Sequence, residues 1–134
     1  MRIVVDYPPN IEELRKHFEL KETNVYAYGD TLYNPNGGEI QDHLLVHEMV
    51  HKRQQLKMGI NEWWDRYIKD MKFRIDQEVE AYATQYRWVK ENEKGADLDK
   101  FLFDLASDLA SPVYGNVLTH GQAESKIRNK AKNL

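Results

Sequence analysis

Hydrophobic and polar positions change rhythm along this chain, from short alternating runs to helical stripes. Residues 2 to 6 alternate in a β-branched manner and stop at Pro8-Pro9, which predicts a first strand. Asn10 and Glu13 form an Asn-x-x-Glu cap pattern, and Ile11, Leu14 and Phe18 give the short helix behind it a buried stripe. Val25 to Tyr28 and Thr31 to Tyr33 flank Gly29-Asp30, a two-residue pair suited to a tight hairpin with φ > 0 at the glycine. Asn34-Pro35-Asn36-Gly37-Gly38 ends that strand. From Glu39 to Lys57 the pattern is helical, with Gly59 as its stop.

A second long helix is predicted from about Glu62 to Asn92, held by Trp63, Trp64 and Tyr67. A third runs from Asp97 to Ala110, where Leu98, Phe101, Leu102, Leu105 and Leu109 recur at helical spacing and Ser111-Pro112 closes the run. After a loop, Thr119 and Gln122 can cap a short final helix. Strands come first and helices after, so the expected class is α+β. With 134 residues, no repeat and no linker, one domain over residues 1–134 is expected.

Charge and composition narrow the function classes. Lys, Arg, Asp and Glu are interspersed and the net charge is -3, so no basic field exists to hold a nucleic-acid backbone. Lys126, Arg128, Lys130 and Lys132 gather near the end, but so short a basic segment reads as a solvated terminus. No stretch resembles a signal peptide or a membrane span, and a cytoplasmic location without membrane attachment is expected. Cysteine is absent, which removes disulfides, thiol nucleophiles and Cys-ligated zinc, and leaves His and carboxylates as the strong metal ligands.

Those ligands occur in a meaningful order. His47-Glu48-Met49-Val50-His51 is a His-Glu-x-x-His run inside a predicted helix. Histidines four apart project from one face and can reach a single zinc ion. Glu48 lies about 100° round the helix from His47, placed to take a proton from a water that the ion activates. Such a run arises in roughly one or two per hundred shuffled sequences of this composition, so its surroundings must decide. Leu45, Met49 and Leu56 cluster opposite the histidines while Ile40, Leu44 and Val50 flank them, as in a helix buried under a cleft.

A catalytic zinc takes three protein ligands, so a third is sought downstream. Glu78 and Glu80 compete. Met71, Ile75, Tyr82 and Val89 fall on the side of Glu78, whereas Glu80 shares its side with Asp76, Thr84 and Arg87. A carboxylate on an apolar face needs compensation; Arg74 or a tyrosine hydroxyl could pair with it, but beside a two-histidine motif a cation is the expected compensation, so Glu78 is the expected ligand. His43 lies one turn before His47, but a straight helix does not easily bring three turns to one ion, and a cleft-wall position is expected for it. His120, Tyr114, Tyr82 and Tyr33 are candidate donors to an oxyanion, with His120 the first choice at a loop-to-helix junction. Gln54 sits on the histidine side, where a hydrogen bond to an imidazole is conceivable, although an ordinary helix position is the expectation for it and for Gln55. Trp63 and Trp64 are expected to pack.

His47-Glu48-x-x-His51 with Glu78-x-Glu80-Ala81-Tyr82-Ala83 resembles the gluzincin branch of the zincin metallopeptidases, over residues 25 to 90. The resemblance implies a zincin-like fold with the metal helix at a cleft, Zn²⁺ held by His47, His51 and Glu78, Glu48 as general base, and a peptide or protein substrate. It makes Ala81 the small residue that lets two helices approach. It also implies that an edge strand, Thr31 to Tyr33, pairs with the extended substrate. Compact forms of this length occur in phages and prophages. The alternative expectation is therefore a non-catalytic scaffold or virion-associated assembly protein with a structural metal. Substrate and oligomeric state are not legible at this level.

Overall fold

The computed structural model describes residues 1–134, which divide into two units, Met1–Lys69 and Asp70–Leu134. In the first unit, strand β1 (Arg2–Val4) is shorter than its alternating run, because the chain bends at Val5 and Asp6 before Pro8-Pro9. Helix α1 (Ile11–His17) buries Leu14. Its expected Asn10 cap does not form: the Asn10 side chain makes no cap bond, and its Oδ1 and Nδ2 are buried without partners. The hairpin of β2 (Tyr26–Tyr28) and β3 (Thr31–Tyr33) forms as expected, with φ +60° at Gly29. Positive φ at the first central residue is the requirement of a II′ turn.

The sheet order is β1-β3-β2, with β1 parallel and β2 antiparallel to β3. Leu32, Ala27 and Tyr26 are buried with Leu14. Thr31–Tyr33 is therefore the central strand, and the expectation that it offers a free edge is wrong; both of its edges carry ladder bonds.

Helix α2 (Asp42–Met58) starts three residues later than the pattern suggested and ends at Gly59, whose φ of +110° takes the chain out of the helix while its N–H donates to the Gln55 carbonyl at 2.7 Å. The helix expected from Glu62 to Asn92 is two helices, α3 (Ile60–Lys69) and α4 (Met71–Asn92). Asp70 separates them in extended conformation, and its carboxylate accepts from the Phe73 N–H at 3.1 Å. No Gly or Pro marks the break. An N-capping aspartate does so instead.

The second unit packs α4 with α5 (Leu98–Leu109) and α6 (His120–Lys132), joined by a 3-10 turn at Pro112–Tyr114. Its core is Ile75, Tyr82, Leu102, Leu105, Leu109 and Ile127, with the fully buried alanines Ala83, Ala106 and Ala123 among them. Caps set the helix starts: Asp97 accepts from Lys100 N–H, and Thr119 with Gln122 completes a capping box. The whole is α+β and mainly helical, with a small sheet, and no helix is long and apolar enough to cross a membrane.

Candidate metal centre

Four-residue spacing on α2 brings the two imidazoles together. His47 Nε2 and His51 Nε2 are 3.2 Å apart, with ring centroids at 4.9 Å and planes at 79°. Both residues are buried, at 6% and 5% exposure. Gln54, one turn on, places Oε1 2.9 Å from His51 Nδ1. An amide oxygen there accepts an Nδ1–H, which places the ring's lone pair on Nε2. The indole of Trp63 lies against the other side of His51 at 5.3 Å and stacks on Tyr67 at 4.8 Å, so ring packing also limits the imidazole. Glu48, next to His47, is buried at 8% exposure.

Glu78 is held on α4 by the second unit's own residues. Tyr114 Oη donates to Glu78 Oε2 at 3.2 Å, and the Tyr82 hydroxyl lies 3.5 Å from that of Tyr114. Arg74 Nη1 donates to the Val113 carbonyl at 2.8 Å, which anchors the turn that presents Tyr114. Glu78 is 5% exposed and its helix neighbours Ile75, Tyr82 and Val89 are buried, whereas Glu80 is only partly buried.

Each unit thus offers buried donors of its own, the paired imidazoles of His47 and His51 in the first and the carboxylate of Glu78 in the second, and imidazole and carboxylate are ligand types that several divalent metal ions accept.

Other expected residues lie outside this group. His43 is partly buried, with Nε2 2.7 Å from Gln41 Oε1. His120 is the first residue of α6; its ring lies 4.3 Å from that of Phe103, with Nε2 3.1 Å from the Phe103 carbonyl and Nδ1 3.8 Å from Glu124. These contacts tie His120 to α5 and its own helix. Tyr33 is in the central strand. Of the tyrosines weighed as oxyanion donors, Tyr114 is instead engaged with Glu78, which is the tyrosine-hydroxyl pairing weighed as the alternative to a cation, although the sequence did not say which tyrosine.

Gln54 does bond an imidazole, against the expectation of an ordinary helix position, and Gln55 is more consequential than its sequence context suggests. Gln55 is fully buried; its Nε2 donates to the Ala27 carbonyl at 2.9 Å and its Oε1 accepts from Gly29 N–H at 2.7 Å. It thereby docks the helix carrying the histidines onto β2. The i, i+4, i+8 relation of His47, His51 and Gln55 is the signal that could have found it.

Comparison with family models, curated proteins and solved structures gave no match to this chain.

Proposed function

We propose that this protein is a zinc-dependent peptidase in which His47, His51 and Glu78 hold the ion and Glu48 is the general base. The observation that carries the reading is the buried pair of imidazoles whose Nε2 atoms lie 3.2 Å apart, with a buried glutamate directly after the first histidine; Glu78, buried on its own helix, is the third ligand that the sequence pattern supplies. The resemblance of the His47-Glu48-x-x-His51 and Glu78 segments to gluzincins supplies the substrate class, a peptide bond. A bound zinc ion polarises the scissile carbonyl and acidifies water.

The protein's residues supply the remainder. Glu48 takes the proton of the attacking water and returns it to the departing amine, a transfer that needs one carboxylate within reach of both. Gln54 keeps His51 in the tautomer whose Nε2 is unprotonated, and Tyr114 fixes the rotamer of Glu78. Burial excludes competing water and strengthens each of these interactions.

That same burial supports a second reading. Four groups each at most 8% exposed suit a structural metal in a non-catalytic scaffold, where the ion neutralises the site and stabilises the fold. Metal analysis of tag-free protein, wild type beside Glu78→Ala and Glu80→Ala, tests the site. Near-stoichiometric zinc lost only in Glu78→Ala is the expected result, and wild type that takes up no zinc on reconstitution would refute both readings. Glu48→Gln separates them. A peptidase loses roughly 10²- to 10⁴-fold in turnover of a peptide library while keeping its zinc, whereas a scaffold has no turnover to lose.

A further inference from the structure

The segment Asn34-Pro35-Asn36-Gly37-Gly38, which carries the chain from β3 towards α2, contains the sole asparagine of this protein that precedes a glycine. Asn36 and both glycines are exposed. The Asn36 side chain is turned forward along the chain: its Nδ2 would stand 3.4 Å from a Cβ at Gly38, so the carboxamide lies beside the Gly37-Gly38 backbone. Glycine matters at position 37 because no side chain screens the main-chain nitrogen that follows Asn36, and because the backbone there takes φ +72°. An exposed carboxamide beside an unscreened main-chain nitrogen makes an asparagine thermolabile.

The same turn holds that nitrogen back. Gly37 N–H donates to the Asn34 carbonyl at 3.0 Å. Asn34, itself only 6% exposed, donates through its own N–H to the Val4 carbonyl at 2.8 Å and through Nδ2 to the Gly38 carbonyl at 2.8 Å. Asn34 is thus a clasp across the segment. The turn must open before the Gly37 nitrogen can reach the Asn36 carboxamide.

We infer that Asn36 is a site of spontaneous deamidation, and that Asn34 sets its rate by keeping the turn closed. When the turn opens, solvent base removes the Gly37 amide proton and the nitrogen attacks Asn36 Cγ. The N–Cγ bond forms, the Cγ–Nδ2 bond breaks, and the departing amine takes up a proton and leaves as ammonia. Water then opens the cyclic imide at either carbonyl, giving aspartate or, with the main chain rerouted through Cγ, isoaspartate. Water is the only co-reactant, and the inference is independent of the metal site. Either product adds a negative charge to the connection that enters the histidine-bearing helix. The isoaspartyl form also lengthens the main chain by a methylene, which takes Gly37 N–H out of register with the Asn34 carbonyl.

Incubation of the folded protein at mildly alkaline pH in heavy-oxygen water, followed by peptide mapping in a mass spectrometer, is the test. Label is expected in a new carboxylate at Asn36, as aspartate and isoaspartate, earlier than at any other asparagine. Asn36→Gln, whose extra methylene enlarges the ring to be closed, is expected to take up none there. Asn34→Ala and Asn34→Ser remove the bond to Gly38 and are expected to speed labelling roughly two- to tenfold, in step with hydrogen exchange of the Gly37 amide. The chain unfolded in urea marks the rate of the fully open turn. A folded wild type in which Asn36 stays unlabelled, or in which another asparagine reacts first, overturns the site. Faster exchange at Gly37 without faster labelling in the Asn34 variants overturns the gating.

Discussion

Replacing Gln55 by methionine isolates the bond between the metal-bearing helix and the sheet. Methionine has nearly the volume of glutamine and keeps the core filled, but it can neither donate to the Ala27 carbonyl nor accept from Gly29 N–H, now met at 2.9 and 2.7 Å. Two backbone groups lose their partner beneath a side chain that is fully buried. A buried polar group left unsatisfied costs about 1–3 kcal/mol, so the pair costs about 2–6 kcal/mol. The apolar thioether in place of a desolvated amide returns about 1 kcal/mol. A net loss of about 1–5 kcal/mol is expected, against the 5–15 kcal/mol typical of a small domain. Urea denaturation in a Trp88→Phe background reports on the first unit, because the remaining indoles, Trp63 and Trp64, both lie on α3. The Gly29 amide should exchange faster in the same variant. A loss under about 1 kcal/mol, or an unchanged Gly29 exchange rate, would show that Gln55 does not anchor α2.

Further expectations follow from individual contacts. Asp70→Ala removes the cap on α4 and lowers stability by about 1 kcal/mol in denaturant melts, while Asp70→Ser retains most of it. Gly29→Ala forces a side chain into φ +60° and sets its Cβ 2.7 Å from Ile60 Cδ1. A loss of about 1–3 kcal/mol is expected, relieved in part by Ile60→Val, which removes that methyl. Gln54→Ala, on the zinc reading, weakens zinc about 10- to 100-fold in chelator competition, with Gln54→Glu restoring an acceptor to His51. The Asp30 carboxyl titrates below its ordinary value of 3.8 because Lys52 hydrogen-bonds it and adds a positive charge. Its small contribution to stability is thus complete above that value and is lost as pH falls through the lowered pKa. Lys52→Met should return the NMR midpoint towards 3.8.

Where apolar periodicity and a side-chain cap coincide, the elements were legible before any coordinates. The Gly29-Asp30 hairpin, the Gly59 stop, α5 with its Leu102, Leu105 and Leu109 stripe, and the Thr119–Gln122 box all stand close to their expected places. The failures have local causes. The break at Asp70 went unseen because Lys69, Asp70 and Met71 interrupt no helical stripe; only the capping capacity of an aspartate separates α3 from α4. The Asn10 cap was expected on composition, and the backbone at φ -97°, ψ 19° keeps its side chain from the helix N–H groups. The order β1-β3-β2 depends on a parallel pairing between residues nearly thirty apart, which local pattern does not encode.

Helix α2 shows why its histidines were easier to find than the reason for their burial. Periodicity set Leu45, Met49 and Leu56 as one of two apolar sides, yet Met49 and Leu56 are 43% and 56% exposed. The buried stripe is polar instead: His47, His51 and Gln55 at successive turns, with Glu48 and Val50 beside them. Such an inverted helix is stable only if each buried polar group is satisfied. Gln55 finds its partners in β2, and His51 finds one in Gln54. The two Nε2 atoms face each other at 3.2 Å, the separation at which two imidazoles on one helix face would both reach one ion. On the zinc reading, the polar stripe that apolar periodicity passed over is therefore the functional face of α2, and Gln54 and Gln55 are what hold it in place.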